Sequence, residues 1–300
     1  MVQGEVTPAR VAVLVACFND GATIQETIDS LRAEAGIEIV VVDDGSNDPE
    51  TLSALERLEC EGVHVLRQEN AGPSAAWMTG VAATSAPYVM PFSSDDILLP
   101  GGTAVLADAL DANRDASFAW GDMKTFGLAT AYRPMVPALC PWLVTYMHCI
   151  PAYSLFRRDA LIESGGWQAI AASEDWDLWM RMAAQGRTGV HVPQPIYLYR
   201  RGAGGRFRRR GRRYEPFYDE LRKRNAELFA ARAKNRSVSP APGVLKILQP
   251  LVDVLPLVPR LKKMQLSEAL TLLFWSGGPR RTAQIVLEGV RFRLRLLTRR

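Results

Sequence analysis

Cysteine and histidine are scarce: the 300 residues hold four cysteines and three histidines. Cys17, Cys60, Cys140 and Cys149 form no Cys-x-x-Cys pair and lie far apart. That spacing argues against a zinc site or a disulfide framework and fits a reducing compartment. No run of about 18 apolar residues occurs, so no transmembrane helix is expected. The first residues, Met1-Val2-Gln3-Gly4-Glu5, lack the pattern of a signal peptide. With 48% hydrophobic and 23% charged residues the chain is neither disordered nor fibrous. Its length suits one large domain or two small ones.

Acidic residues are also unevenly supplied. Residues 1–199 hold 11 Lys/Arg against 25 Asp/Glu, whereas residues 200–300 hold 25 against 7. An acidic body therefore precedes a strongly basic back, of the kind that serves phosphate, anionic lipid or nucleic acid. The arginines of 200–213 lack aromatic interleaving and any nucleic-acid-binding motif, so no nucleic-acid partner is expected.

What is present is an alternation of buried strands and amphipathic helices. Val11 to Cys17 is a continuous apolar run, as expected of a strand covered on both faces. Ile24, Ile28 and Leu31 recur at helical spacing over 22–35. Ile37 to Val42 is a second buried strand, 49–60 a second helix, and Val63 to Leu66 a short strand. A helix of small residues follows over 74–83, and Tyr88-Val89-Met90 opens a further strand. The order predicts a doubly wound α/β domain with a mostly parallel sheet flanked by helices.

Two of these strands end in paired carboxylates, Asp43-Asp44-Gly45-Ser46 and Ser93-Ser94-Asp95-Asp96. Alone, either pair reads as a capped turn. Two acidic loops at the carboxyl ends of strands stand where open α/β sheets bind ligands, and they imply a cation or sugar hydroxyls. Hard oxygen donors of this kind suit Mg²⁺ or Mn²⁺, with substrate phosphates and water filling the remaining positions.

Val40-Val41-Val42-Asp43-Asp44-Gly45-Ser46, Asn70-Ala71-Gly72-Pro73-Ser74-Ala75-Ala76 and Ser94-Asp95-Asp96 stand in the order and spacing of an inverting glycosyltransferase of family 2 with the GT-A fold. The resemblance covers about residues 10–200. It implies a donor site for a UDP-, dTDP- or GDP-sugar, with Asp43, Asp44 and Asn70 on the nucleotide side and Asp44 at the base. It further implies that Asp95 and Asp96 take the ribose and a divalent cation, Mg²⁺ or Mn²⁺, that bridges the diphosphate. The family's Asp-x-Asp-Asp begins here with Ser93, which makes Asp95 the main metal ligand and Asp96 its support. The Ala-Arg-Asn that usually continues the small-residue helix is replaced by Trp77 and Met78; Trp77 is expected to fill the core.

Further on stands Ser173-Glu174-Asp175-Trp176-Asp177. Ser173 can cap a helix, with Glu174 and Asp175 at its start, where the dipole favours an ionised carboxylate. The resemblance identifies this as the Glu-Asp motif whose Asp, here Asp175, is the general base, with Glu174 beside it. Arg200, Arg201 and Arg206 are candidates to clamp the diphosphate, since a guanidinium binds phosphate in bidentate fashion. The region 123–150 is expected to be irregular around a short helix and, by resemblance, to line the acceptor site. His148 within it reads as a structural histidine, because no partner is visible in the sequence. The Gln-x-x-Arg-Trp motif of processive members is missing, which points to the addition of one sugar.

Residues 1–213 are thus expected to be the GT-A domain. Residues 214–300 are expected to form a basic helical extension, with a Pro-containing linker near 237–243. Its short apolar faces and arginine rims fit the surface of an anionic membrane, and equally a face docked on the body or on a partner. The expected function is transfer of one sugar to a glycan or lipid-linked acceptor in polysaccharide biosynthesis for the cell envelope. The expected place is the cytoplasm, with peripheral attachment at the inner face of the plasma membrane. The rival reading is a non-catalytic protein on the same fold that binds a nucleotide-sugar or a polyanion.

Overall fold

The computed structural model describes residues 9–170, 174–202, 214–256 and 258–297. Ser173 and Arg206 lie outside these residues. The elements run β1 (Val11–Cys17), α1 (Gly21–Arg32), β2 (Ile37–Asp43), α2 (Pro49–Cys60), β3 (His64–Arg67), α3 (Pro73–Ala83), β4 (Tyr88–Ser93), β5 (Ile97–Leu98) and α4 (Gly102–Ala112). There follow β6 (Ala116–Gly127), β7 (Ala131–Arg133), β8 (Leu155–Arg157), α5 (Arg158–Glu163), α6 (Glu174–Ala184) and β9 (Thr188–Arg201). The expected strand–helix alternation up to β4 is therefore present, with helix ends shifted by a residue or a few.

One sheet holds all the strands in the order β3-β2-β1-β4-β8-β6-β9-β5, with β7 on β6. From β3 to β4 every pairing is parallel. Beyond β4 the sheet is mixed, because β8 runs antiparallel to both its neighbours while β6 and β9 are parallel. The all-apolar β1 lies at the centre of the parallel half, with Val13, Leu14 and Val15 inaccessible to solvent. The register sets Cys17 opposite Asp43 and Ala16 opposite Ser93. The acidic ends of β2 and β4 thus emerge level with one another, on either side of the end of β1.

Phe118-Ala119-Trp120, readable as a short strand, is the start of a 12-residue one. Its second half lies in the stretch expected to be irregular. Met123 to Thr125 is held between β7 and β9, and the β9 partners, Tyr197 to Tyr199, lie far along the chain. Local pattern does not report such pairing. The remaining stretch to residue 150 is irregular around a single 3₁₀ turn at Leu143–Thr145.

Past residue 213 come α7 (Tyr214–Arg224), α8 (Ala226–Ala230), α9 (Arg232–Val238), α10 (Gly243–Asp253), α11 (Arg260–Thr271) and α12 (Gly278–Leu297). The charged stretch from Tyr214 to Val238 is divided into three helices, with breaks at Ala231 and at Asn225. That side chain turns inward and donates to Asp177 Oδ1 (3.0 Å). Phe217, Tyr218, Leu221, Leu228 and Met264 belong to the same buried cluster as Trp176, Trp179 and Phe118. The basic segment therefore shares a core with the sheet.

Trp77 sits in this core, as its bulk suggests. It is buried, packs against Trp167 (5.4 Å between rings) and donates from Nε1 to the carbonyl of Phe92 (3.0 Å). Trp77→Ala is expected to lower stability by about 3–5 kcal/mol, the usual cost of emptying an aromatic site in a core. Chemical denaturation with an unchanged m-value would check this.

Candidate active site

The loop after β2 is shaped by Gly45. Its φ of +75° and the 2.8 Å that a Cβ would leave to the Asn70 backbone nitrogen exclude other residues without strain. Asp43 Oδ1 accepts from the Ser46 N–H (2.9 Å). Asp44 is buried, and its carboxylate accepts from Gln68 Nε2, the Ala71 N–H and the Gly72 N–H, each at 2.8 Å. Asn70 Nδ2 donates to the Asp44 carbonyl (2.8 Å). In this arrangement Asp44 and Asn70 join the β2 end to the loop that begins α3.

The loop after β4 is fastened from three sides. From α1, Thr23 and Thr27 donate to the carbonyls of Ser94 (3.0 Å) and Asp96 (2.8 Å). From β9, the Arg200 N–H donates to Asp96 Oδ1 (2.6 Å). From the segment before β8, the Tyr153 hydroxyl donates to Asp96 Oδ2 (2.6 Å). Asp96 is fully buried, while Asp95 stays partly open. Burial, and then the charge of Asp95, raise the Asp96 carboxyl to about 7. The Tyr153 hydroxyl is pushed well above its usual value by burial and by both acids, although Ser93 nearby draws it down. A carboxylate at position 93 would bring a third negative charge against this pair, which is a physical reason for the serine.

This donor set fits a divalent cation of modest demand. Asp95 offers an accessible hard oxygen, and the raised carboxyl behind it gains from a neighbouring positive charge. Among the described residues no group of three or more His, Cys, Asp or Glu side chains could hold a metal by itself. Any ion here would draw its other positions from substrate and water.

Helix α6 begins on Glu174 and Asp175 because its other residues are used inward. Trp176 and Trp179 are buried, and Trp176 Nε1 donates to the Val144 carbonyl (2.6 Å). Asp177 is fully buried and holds Arg181 (2.9 Å) and Asn225 (3.0 Å). Arg181 in turn bonds the carbonyl of Gly166 (2.7 Å). Asp175 Oδ1 accepts from the Trp176 N–H (3.0 Å), and Oδ2 lies 2.9 Å from His148 Nε2. The second contact is close but off the line of the ring N–H, so it is an ion pair rather than an aligned hydrogen bond.

Electrostatics bind this pair. Burial disfavours a charged His148, but Asp175, with Glu268 and Glu174 adding to it, outweighs burial and raises its pKa. Burial also disfavours a charged Asp175, and His148 with two backbone N–H groups outweighs it, so the carboxyl lies below its usual range. His148 thus has the partner that the sequence could not show. Glu268, on α11 of the basic segment, is pushed upward by burial although Arg133, His148 and Arg201 pull it down.

Of the three arginines, Arg200 is engaged within the fold. It pairs with Glu26, donates from Nε to the Asp95 carbonyl (2.6 Å) and lies 4.4 Å over the Phe126 ring. Arg201 is partly buried, and burial together with the charge of Arg133 lowers its pKa. Two guanidinium groups therefore share one neighbourhood, and sequence reading missed Arg133. The hydroxyls of Tyr197 and Tyr199 are raised by burial first and then by Asp96 and Asp175, among other charges. The charges of Asp96 and Asp175 thus both reach the end of β9.

A family model described as glycosyl transferase family 2 matches residues 12–165, and one described as glycosyl transferase family group 2 matches residues 107–294. The uncharacterized protein y4gI of Sinorhizobium fredii is 25% identical over 256 residues, 80% of this chain and 28% of that protein. The succinoglycan biosynthesis protein ExoU of Rhizobium meliloti is 33% identical over 97 residues, 31% of this chain and 28% of that protein. The chain thus spans only 28% of the length of each of these two relatives. S. aureus TarS 1-349 in complex with UDP-GlcNAc superposes with a TM-score of 0.57 at 16% identity, over 91% of this chain and 82% of that one. The mannosyltransferase PcManGT from Pyrobaculum calidifontis, in complex with GDP-Man and Mn2+, gives 0.52 at 16% identity over 98% and 90%. At such identity these likenesses show the shared GT-A architecture and nothing finer.

Proposed function

The chain belongs to glycosyl transferase family 2, and from that membership we propose a metal-assisted, inverting transfer with Asp175 as general base. The donor is a nucleotide-sugar and the acceptor a hydroxyl of a glycan or of a lipid-linked sugar. One observation carries the reading. Asp96 at the end of β4 is held by the Arg200 N–H of β9, and, after burial, the charges of Asp96 and of Asp175 at the start of α6 both raise Tyr197 and Tyr199 of the same strand. An acid pair suited to a diphosphate and a carboxylate suited to take a proton thus both bear on the end of β9.

In this mechanism the nucleotide lies along the β2 and α3 loops, whose shape Asp43, Asp44 and Asn70 maintain. The diphosphate lies toward Asp95, where a divalent cation, when bound, would neutralise charge developing on the leaving group. Arg201 and Arg133 add fixed positive charge on the same side, and electrostatic stabilisation of a leaving anion is commonly a large share of the rate enhancement. Arg200 holds the Asp95–Asp96 loop in place. Asp175 takes the proton from the acceptor hydroxyl as its oxygen attacks the anomeric carbon, and the C–O bond to the nucleoside diphosphate breaks on the opposite face. His148 is a positioning residue that keeps Asp175 ionised and fixes its direction. Glu174, buried at the helix start, adds to the field on His148.

The test is a thermal-shift and turnover screen of UDP-, dTDP- and GDP-sugars, each with and without Mn²⁺ or Mg²⁺. A ligand that binds only the folded state adds about 2.7 kcal/mol of apparent stability at a hundredfold excess over Kd. One nucleotide class is expected to raise Tm by several degrees in a metal-dependent way, and to yield product of inverted anomeric configuration. Binding without turnover on any sugar acceptor would favour the non-catalytic reading, and retention of configuration would exclude Asp175 as base.

A further inference from the structure

We propose that α10 (Gly243–Asp253) is a docking surface for an anionic lipid bilayer. The helix is apolar on two opposite sides. One side is used: Leu245, Gln249 and Val252 are buried, and Gln249 Nε2 donates to the Ser267 carbonyl and to Thr271 Oγ1, both at 3.2 Å. The other side carries Val244, Ile247 and Leu251, continued by Val254 just past the helix end. Their spacing of three, four and three residues forms a single stripe. This stripe faces solvent, with Ile247 63%, Leu251 55% and Val254 74% exposed. A helix that is apolar all round is ordinarily covered on all sides.

Charge selects the occupant. Between residues 232 and 265 stand seven Lys or Arg and one acid, Asp253. That acid is already held by Arg232 (2.9 Å) and by Arg260. Lys234, Arg236 and Lys262 are exposed, and Lys246 and Lys263 partly so. A second copy would bring the same positive surface against itself, and like charges across a contact oppose association. Anionic headgroups complement it, and an apolar helix face with cations on the same and neighbouring helices suits a helix that lies in a bilayer interface. Among the described residues no helix is long and apolar enough to cross a membrane, so the chain would lie on the bilayer. The docking stands independently of the catalytic assignment.

The experiment is co-sedimentation of the full chain with vesicles of phosphatidylcholine alone or mixed with phosphatidylglycerol, at low and high salt. Binding is expected to the mixed vesicles, weakening as salt shortens the screening length from about 10 Å at 0.1 M to about 3 Å at 1 M. The double variant Ile247→Glu, Leu251→Glu is expected to bind about 100-fold more weakly, since two apolar side chains lose their transfer into the interface. Its melting temperature and donor binding are expected to be unchanged, because both side chains are exposed. Failure of the natural chain to bind, equal binding to pure phosphatidylcholine, or undiminished binding by the double variant would each overturn the proposal. So would sedimentation-velocity dimers that the double variant abolishes, which would make the stripe a contact between copies.

Discussion

Asp175→Asn is expected to lower turnover by about 10²–10⁴-fold, the usual contribution of a positioned general base, while donor binding measured by calorimetry stays near the natural value. The amide keeps the size of the side chain and one acceptor for the Trp176 N–H, but it cannot take a proton. Near-natural turnover in this variant would sink the assignment. The His148 contact adds a pH signature that a merely structural residue would not produce. His148 is raised, so its share of stability is complete below its ordinary value of about 6.5 and is lost as pH rises through the raised one. Asp175 is lowered, so its share is complete above about 3.9 and is lost as pH falls through the lowered one. The Tm difference between the natural chain and His148→Gln is therefore expected to be largest between about pH 4 and 6.5 and to shrink in alkali. A difference that does not vary with pH would show that the pair carries no charge.

The second large effect separates two adjacent acids. Asp95→Ala is expected to abolish the divalent-dependent part of nucleoside diphosphate binding. The loss should exceed the 10–100-fold that even outer partners of a metal site typically contribute. Its stability cost is expected to be smaller than that of Asp96→Ala, because its loss relieves the buried Asp96 of a like charge. Asp96→Ala is expected to do the reverse. It leaves the Arg200 N–H and the Tyr153 hydroxyl buried without their acceptor, at about 1–3 kcal/mol each. Urea titration and calorimetry on the two variants read the two effects separately. Equal loss of stability in both, or metal-dependent binding intact in Asp95→Ala, would refute this division of labour.

The two arginines at the end of β9 stand in different surroundings. Arg201, near Arg133, stands in a field suited to a phosphate, whereas Arg200 is tied to Glu26 and to the Asp95 carbonyl. Identical residues one position apart thus serve different ends. Along a strand successive side chains point to opposite faces, so neighbours meet different surroundings.

The sequence alone determined the elements whose information is local. The apolar run of β1, the acidic turns after β2 and β4, the glycine at position 45 and the helix start at Glu174-Asp175 depend on near neighbours and on burial. Turn and strand chemistry act over such distances, and the family resemblance rests on these same residues. Tertiary structure decided what each of them touches. Asp96 became the buried partner and Asp95 the open one because Tyr153 and Arg200, 57 and 104 residues along the chain, close on Asp96. His148 acquired a carboxylate, and Arg133 and Glu268 entered the same neighbourhood, only when irregular segments and a helix from the basic end packed together. The helix Gly243–Asp253 is apolar on both sides in the sequence; the packing of Leu245, Gln249 and Val252 decided which side was left to solvent. A one-dimensional pattern records which groups can be buried or charged, but partners far along the chain are chosen by the packing of a shared core.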